Sequence, residues 1–462
     1  MRRFLPFFVL SLSLSGRAQS PPMGWNSWDC YGPNVTEQEV KANADYLARH
    51  LKKLGWEYVV VDIRWYVAND KSHGYNQTDP VYSIDEFGRF TPAINRFPSA
   101  AGGKGFKPLS DYVHRKGLKF GLHIMRGVPV IAAERNLPVM GTAVTAQEIC
   151  TREAQCLWLR DMYSIVAGQP GSQEYYNSIF RLYASWGVDF VKADDLLSPY
   201  HASEIEMMRK AIDQCGRKML LSTSPGETPI EMAEHISRHA NMWRIMPDFW
   251  DNWDQLRMEF DHCARWVRYG SHGHWPDADM LPLGRLSIRG EIGNDRLSRF
   301  TPDEQRMLMT LFAIFRSPLM FGGDLPSNDA FTLSLLTNKE ILAVNQHSVD
   351  NRQLLRDGDR IAWSAEDPGS GDKYLALFYI GEEDSARISV DLELLGLHGP
   401  CSTHELWRRL PDGQVHDALT MTLPRHGCAL FRIHRVRSLA SLKITKPKPY
   451  EKTKPDRSTR NP

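Results

Sequence analysis

Residues 174–195 read EYYNSIFRLYASWGVDFVKADD, and the change of pattern inside them decides the fold. The first fourteen residues have helical character and close on Gly187, a residue type suited to ending a helix. Directly after it, VDFVKADD is an apolar strand that ends in charge at Lys192, Asp194 and Asp195. Side chains alternate along a strand, so Lys192 and Asp194 share one side, while Asp195 lies on the other or already in the loop. An ammonium beside Asp194 favours its ionised form, as a nucleophile or electrostatic partner needs. A salt bridge that caps the strand explains the same pair equally well.

The helix-then-strand unit recurs along the chain. Short apolar runs begin at Met23 (MGWNSW), Tyr58 (YVVVDIRW), Phe120 (FGLHIM), Asp189 (DFVKADD), Met219 (MLLSTS), Asn241 (NMWRIM), His274 (HWPDADM) and Pro318 (PLMFGGDL). Amphipathic segments separate them. TEQEVKANADYLARHLKKLG, for example, carries Val40, Ala44, Leu47, Leu51 and Leu54 at helical spacing before Gly55. Alternation of this kind implies parallel pairing, and eight units fit a (β/α)8 TIM barrel. An open doubly wound sheet lacks its usual GxGxxG after the first strand.

From about Asp357 the pattern becomes short alternating strands, DRIAWSAE, KYLALFYIG, ARISVDLELLG and GCALFRIHRV, between Gly, Pro and Asp turns. A small C-terminal antiparallel β-sandwich is expected there. The chain therefore divides into a signal peptide at 1–18, a catalytic barrel at 19–345, a β-sandwich at 346–436 and a disordered basic tail at 437–462. The signal reading rests on Arg2 and Arg3, the apolar run Phe4–Leu14, and small residues around Gly16 and Ala18. It predicts a secreted or periplasmic protein, and no later segment is apolar enough for a membrane span.

Of 462 residues, 42% are hydrophobic and 24% charged, and 56 Lys and Arg stand against 55 Asp and Glu. This balance excludes the basic field that would gather nucleic acid or an anionic membrane, so a neutral partner is expected. There are seven cysteines and no CxxC, which gives no sign of a zinc site. Cys401 and Cys428 both lie in the C-terminal part and could be bridged, Cys150 and Cys156 sit in one long loop, the pairing is left open, and buried thiols suit the others equally well. No cofactor is indicated.

NMWRIMPDFWDNW supplies a second carboxylate, Asp248, just past a strand that holds Arg244. Its sequence neighbours Trp243, Phe249, Trp250 and Trp253 predict an apolar setting that raises its pKa, as a general acid requires. Two carboxyls driven apart at one barrel mouth suit glycoside hydrolysis. Trp25, Trp28, Trp65 and Trp275 are candidate stacking faces for a sugar ring, although each taken singly is more often core.

PPMGWNSWDCYG, LGWEYVVVDIRW, KGLKFGLHIM, WGVDFVKADD, MWRIMPDFWDNW, DADMLPLG and SPLMFGGDL together resemble, in order and spacing, the motifs of glycoside hydrolase family 27, the α-galactosidase and α-N-acetylgalactosaminidase group. The resemblance implies a retaining exo-hydrolase acting on a glycan with a terminal galactose or arabinopyranose. It places the nucleophile on Asp194 within Lys-x-Asp and the acid/base on Asp248, four residues after Arg244. It also implies sugar contacts from Trp25, Asp62, Ile63, His123, Lys192, Arg244 and Asp279.

Several positions depart from the family pattern. Asp62-Ile63 stands where the family often has Asp-Asp, which holds the 4- and 6-hydroxyls of galactose, and Ile63 cannot accept a hydrogen bond. β-L-Arabinopyranose is α-D-galactopyranose without the hydroxymethyl group, so the resemblance implies a β-L-arabinopyranosidase preference; alternatively Ile63 only packs. Ala193, Leu196 and His123 also differ from common family residues, and Glu227 is offset in STSPGETP. Two rival readings remain: a non-catalytic carbohydrate-binding barrel, and a metal-dependent barrel enzyme suggested by His272, His274, Asp277 and Asp279. Oligomeric state is not legible in the chain.

Overall fold

The computed structural model describes residues 20–408 and 412–436. The expected signal peptide, 1–18, and basic tail, 437–462, lie outside the described residues. The parallel strands are β1 (Met23–Asn26), β2 (Tyr58–Val61), β3 (Lys119–Met125), β4 (Phe190–Asp194), β5 (Leu220–Thr223), β6 (Met242–Arg244), β7 (Trp275–Asp277, resumed at Met280–Leu281) and β8 (Leu319–Phe321). They begin at the eight runs read from the sequence. The first part of β7 pairs with β6, the second part pairs with β8, and β8 pairs with β1, so the sheet returns on itself.

Helices α1 (Glu37–His50), α2 (Lys107–Arg115), α3 (Ser172–Trp186), α4 (Ala202–Gln214), α5 (Ala233–His239), α6 (Trp253–Trp266) and α7 (Pro302–Phe315) fill the gaps between strands. Local chemistry sets their ends. Thr36 and Glu39 form a reciprocal capping box at the start of α1. Gly187 ends α3 at φ +82°, where a side chain would be strained. Strand alternation then sorts the residues into two layers. Val59, Val61, Phe120, Leu122, Ile124, Val191, Leu221 and Trp243 face the helices in the main core. Tyr58, Phe190, Met242, Trp275 and Met320 form a separate cluster inside the barrel. Fully burying each such side chain contributes about 1.5–3 kcal/mol.

After β8, the helix Lys339–His347 crosses the expected boundary at 345 and leads into β9 (Val349–Asp357). The strands β10 (Arg360–Glu366), β11 (Lys373–Tyr379), β12 (Ser385–Asp391), β13 (Cys401–Glu405), β14 (Gly413–Val415), β15 (Ala418–Pro424) and β16 (Cys428–Arg435) follow. They form a six-stranded sheet in the order β9-β10-β11-β16-β13-β14, with β12-β15 as a second, two-stranded sheet. Helix α7 is apolar almost all round because it is buried on nearly every side, with Ile361, Trp363, Phe378 and Leu430 of the sandwich in the same core.

All seven cysteines are free thiols, which removes the suggested Cys401–Cys428 bridge and leaves Cys150 and Cys156 unpaired. Cys401 belongs to the sandwich interior, whereas Cys428 faces α7 and contacts Thr310, on the opposite side of the sheet. Among the described residues, no helix is long and apolar enough to cross a membrane.

Candidate active site

The carboxyl ends of the barrel strands bring together Asp62, His123, Lys192, Asp194, Arg244, Asp248 and Asp279. The register places His123 opposite Lys192, Met125 opposite Asp194, and Arg244 opposite Asp277.

Asp194 is buried and accepts three hydrogen bonds. His123 Nε2 lies 2.9 Å from Oδ2, while Ser224 Oγ and the Asp195 N–H donate to Oδ1, each at 3.1 Å. Burial alone would raise its pKa, but the His123 bond, the Lys192 charge and the Asp195 N–H outweigh it and hold the carboxyl well below the usual range. Asp194 is therefore an ionised, oriented carboxylate with little bulk-water contact.

Lys192 does not bond Asp194 directly, as the strand pattern had suggested. Its Nζ donates to Asp62 Oδ2 at 2.9 Å. Asn26 Nδ2 donates to the same oxygen at 2.7 Å, and the Ile63 N–H donates to Asp62 Oδ1 at 2.7 Å. Burial raises the Asp62 pKa, but Lys192 and His123 more than offset it, and the net shift is downward. Two buried ions thus compensate each other's desolvation, and Lys192 acts on Asp194 only through space.

Arg244 is buried, and its Nη2 bridges two carboxylates. It donates to Asp248 Oδ1 at 2.7 Å and pairs with Asp279. Asp279 also accepts the Phe249 N–H at 2.8 Å, and it sits at φ +77° in the break of β7. That break ties the loop carrying Asp248 to the seventh strand.

The apolar setting expected for Asp248 is not formed. Its side chain is 52% exposed. Trp243 points outward against Trp266, Phe249 packs on Phe300 and Phe312, and Trp253 stacks on His426 of the sandwich. Neighbours in sequence here are not neighbours in space.

Trp25 is also corrected. It is 0% exposed in the main core, and its Nε1 donates to the Gly323 carbonyl at 2.8 Å, so it faces away from the mouth. Trp65 is core as well, bonded to the His123 carbonyl, and Trp275 lies in the barrel's lower interior. Trp28 is the member of that set at the mouth. It shares a cluster with Ile63, which is 2% exposed, and with Met125, Cys156 and Trp250. Glu227 is engaged outside the site, with Arg265 at 2.9 Å and His262 at 3.4 Å.

Sequence reasoning missed Arg126, Ser224 and Asn26, and it named Asp277 only as a donor of the rival metal site. Arg126 follows β3 immediately. Its guanidinium bonds the Asp195 carbonyl, Ser164, Glu204 and the Ala154 carbonyl, joining residues 128–172, a long insertion after β3, to the loop after β4. A lone arginine at a strand end was the available signal.

Asp277 is buried between Arg244 and Asp279, and burial pushes its carboxyl up to about 7, against the opposing pull of Arg244. An unfolded aspartate titrates near ~4, so between those values the native state holds a proton that the unfolded chain has lost. The resulting stability is present below the unfolded value and is lost as pH rises through about 7. Asp277→Asn is expected to flatten the decline in melting temperature between those two pH values. A slope equal to that of the wild type would show that Asp277 is ionised there.

The metal-enzyme reading loses its donor set. His274 Nδ1 contacts the Ala240 carbonyl, and His272 is exposed, away from Asp277 and Asp279. Among the described residues, the His and carboxylate donors close enough to share an ion are Glu206, His235 and His239, on α4 and α5.

Two family models match the chain: "alpha galactosidase A" over residues 146–347, and "alpha galactosidase C-terminal beta sandwich domain" over residues 357–433. A family 27 β-L-arabinopyranosidase from Geobacillus stearothermophilus, solved with arabinose bound, is 49% identical. It superposes with a TM-score of 0.89 over 91% of this chain and 98% of that one. Alpha-galactosidase 2 of Arabidopsis thaliana is 28% identical over 432 residues, covering 91% of both chains. Alpha-galactosidase A of Cellvibrio japonicus is 28% identical over 445 residues, covering 90% of this chain and 92% of the relative.

Proposed function

This chain belongs to glycoside hydrolase family 27, the α-galactosidase family, and on that premise we propose that it is an exported, retaining exo-glycosidase that prefers terminal β-L-arabinopyranosyl residues. The observation that carries the proposal is the pairing of an ionised, buried Asp194 with a solvent-reachable Asp248 at one barrel mouth. Asp194 has the properties of a nucleophile. Its three hydrogen bonds fix its orientation, and burial strips it of competing water. Asp248, held by Arg244 but open to the mouth, can exchange a proton with a departing oxygen and then with incoming water.

In the first step Asp194 Oδ attacks the anomeric carbon while Asp248 transfers a proton to the leaving oxygen, which breaks the glycosidic bond. In the second, Asp248 removes a proton from water, and the water oxygen displaces Asp194 from the sugar. Lys192, Asp62 and Arg244 present donors and acceptors for the ring hydroxyls. Ile63 supports the arabinopyranose reading. It presents hydrocarbon beside Asp62, within a cluster of Trp28, Met125 and Cys156, where a hydroxymethyl group would find no hydrogen-bond partner on that side chain. The basic, apolar and small-residue succession at the N-terminus supports export.

The test compares aryl β-L-arabinopyranoside with aryl α-D-galactopyranoside, following by NMR the first anomer released. A higher kcat/KM for the arabinoside, with configuration kept, is expected. Release of the inverted anomer would remove the double displacement, and a galactoside preference would remove the substrate assignment.

A further inference from the structure

We propose that Trp158, with Leu157 and Tyr75, forms a binding site for a ring-bearing leaving group, beside the pocket that holds the terminal sugar. The proposal rests on the glycosidase reading above and extends it to the other side of the scissile bond.

Three aromatic rings run in sequence from the mouth to the surface. Trp28 stacks on Tyr75, with centroids 5.9 Å apart and planes 24° from parallel, and Tyr75 leads to Trp158 at 6.2 Å and 34°. The inner end of this ladder shares the cluster that includes Ile63 and Met125. Its outer end lies in the 128–172 insertion. Beside it Leu157 is 95% exposed, so a large apolar side chain stands in solvent next to a half-buried indole.

Polar and cation–π contacts hold the segments that carry the ladder. The Arg64 guanidinium lies 5.3 Å from the Tyr75 ring centroid, and His73 Nδ1 is 2.8 Å from the Gly290 carbonyl. Gln77 clasps the Trp158 segment from both sides, donating to the Trp158 carbonyl at 3.1 Å and accepting the Arg160 N–H at 3.2 Å. Burial, followed by the charges of Glu291, Asp194, Asp62 and Asp248, raises the Tyr75 hydroxyl, so this ring lies within the field of both proposed catalytic carboxylates. The sugar's own polar contacts come from the strand ends. The ladder offers instead apolar faces and few competing donors, which suits the flat face of a pyranose or aryl ring.

The experiment measures kcat/KM of wild type, Trp158→Ala and Trp158→Phe on the methyl glycoside, the p-nitrophenyl glycoside and a disaccharide of the preferred sugar. The ratio of ring-bearing to methyl substrate is expected to fall about tenfold in Trp158→Ala, a change of ~1.4 kcal/mol. Trp158→Phe should recover most of it. Leu157→Asp, a fully solvent-facing change, should lower the same ratio to a smaller extent and guards against misfolding of the alanine variant. Loss on the p-nitrophenyl substrate alone assigns the platform to aryl groups, and loss on the disaccharide assigns it to a second sugar. Equal losses on all three substrates, or no loss on any, would overturn the site. A wild type inactive toward all three would remove the substrate reading and this site with it.

Discussion

Asp194→Asn is expected to lower kcat by about 10⁴-fold or more on every glycoside the enzyme accepts, with the fold retained. The amide fills the same volume and can still accept from His123 Nε2, which lies 2.9 Å from Oδ2 in the native site. It cannot form the covalent glycosyl intermediate, because the charge that His123, Lys192 and the Asp195 N–H hold in place is gone. Asp248→Asn supplies the contrast. Its loss should be large where the leaving group needs a proton and small for activated aryl groups. Steady-state kinetics on an alkyl and an aryl glycoside, with circular dichroism as the folding control, separates the two. Retention of activity in Asp194→Asn would remove that residue from the nucleophile role.

Ile63→Asp is expected to move the ratio of galactoside to arabinopyranoside turnover toward galactose by about 10²-fold, well short of what a fully evolved hydroxyl-reading site reaches. Ile63 is 2% exposed beside Asp62, which already carries charge balanced by Lys192. A second carboxylate there raises the cost of ionising either group, so absolute rates should fall even as selectivity shifts. Ile63→Asn removes that complication, since it brings a hydrogen-bonding amide without charge and should shift the ratio in the same direction. An unchanged ratio in both variants would show that Ile63 packs without reading the sugar. The wild-type preference would then come from elsewhere in the cluster, with Met125 and Cys156 the first residues to examine.

Local pattern was enough for the barrel, because each strand and helix carries its own signal. Short apolar runs ending in polar or charged residues, amphipathic stretches and a glycine stop such as Gly187 need no distant partner to be read. The order of the elements then leaves few ways to close a parallel sheet. Asp194 was legible for the same reason, since alternation along one strand decides which way it points.

What failed were statements about surroundings. Asp248 was expected in an aromatic setting because four aromatics flank it in sequence, yet the backbone turns Trp243, Phe249 and Trp253 to three different faces. Trp25 and Trp28 are three residues apart, and only the second reaches the mouth. Trp25 lies on the outward side of β1, whereas Trp28 follows the strand.

The sequence by itself therefore carried the chain's barrel-and-sandwich architecture, its family and the placing of Asp194 and Asp248 at the ends of two barrel strands. Only the tertiary structure decided that Lys192 neutralises Asp62, that His123 and Ser224 orient Asp194, that Arg244 joins Asp248 to Asp279, and that the insertion brings Trp158 beside Tyr75. The physical reason is range. Periodicity and capping are settled within a few residues, whereas hydrogen-bond pairing and desolvation depend on atoms brought together from distant strands, such as Lys192 and Asp62, 130 positions apart in the chain.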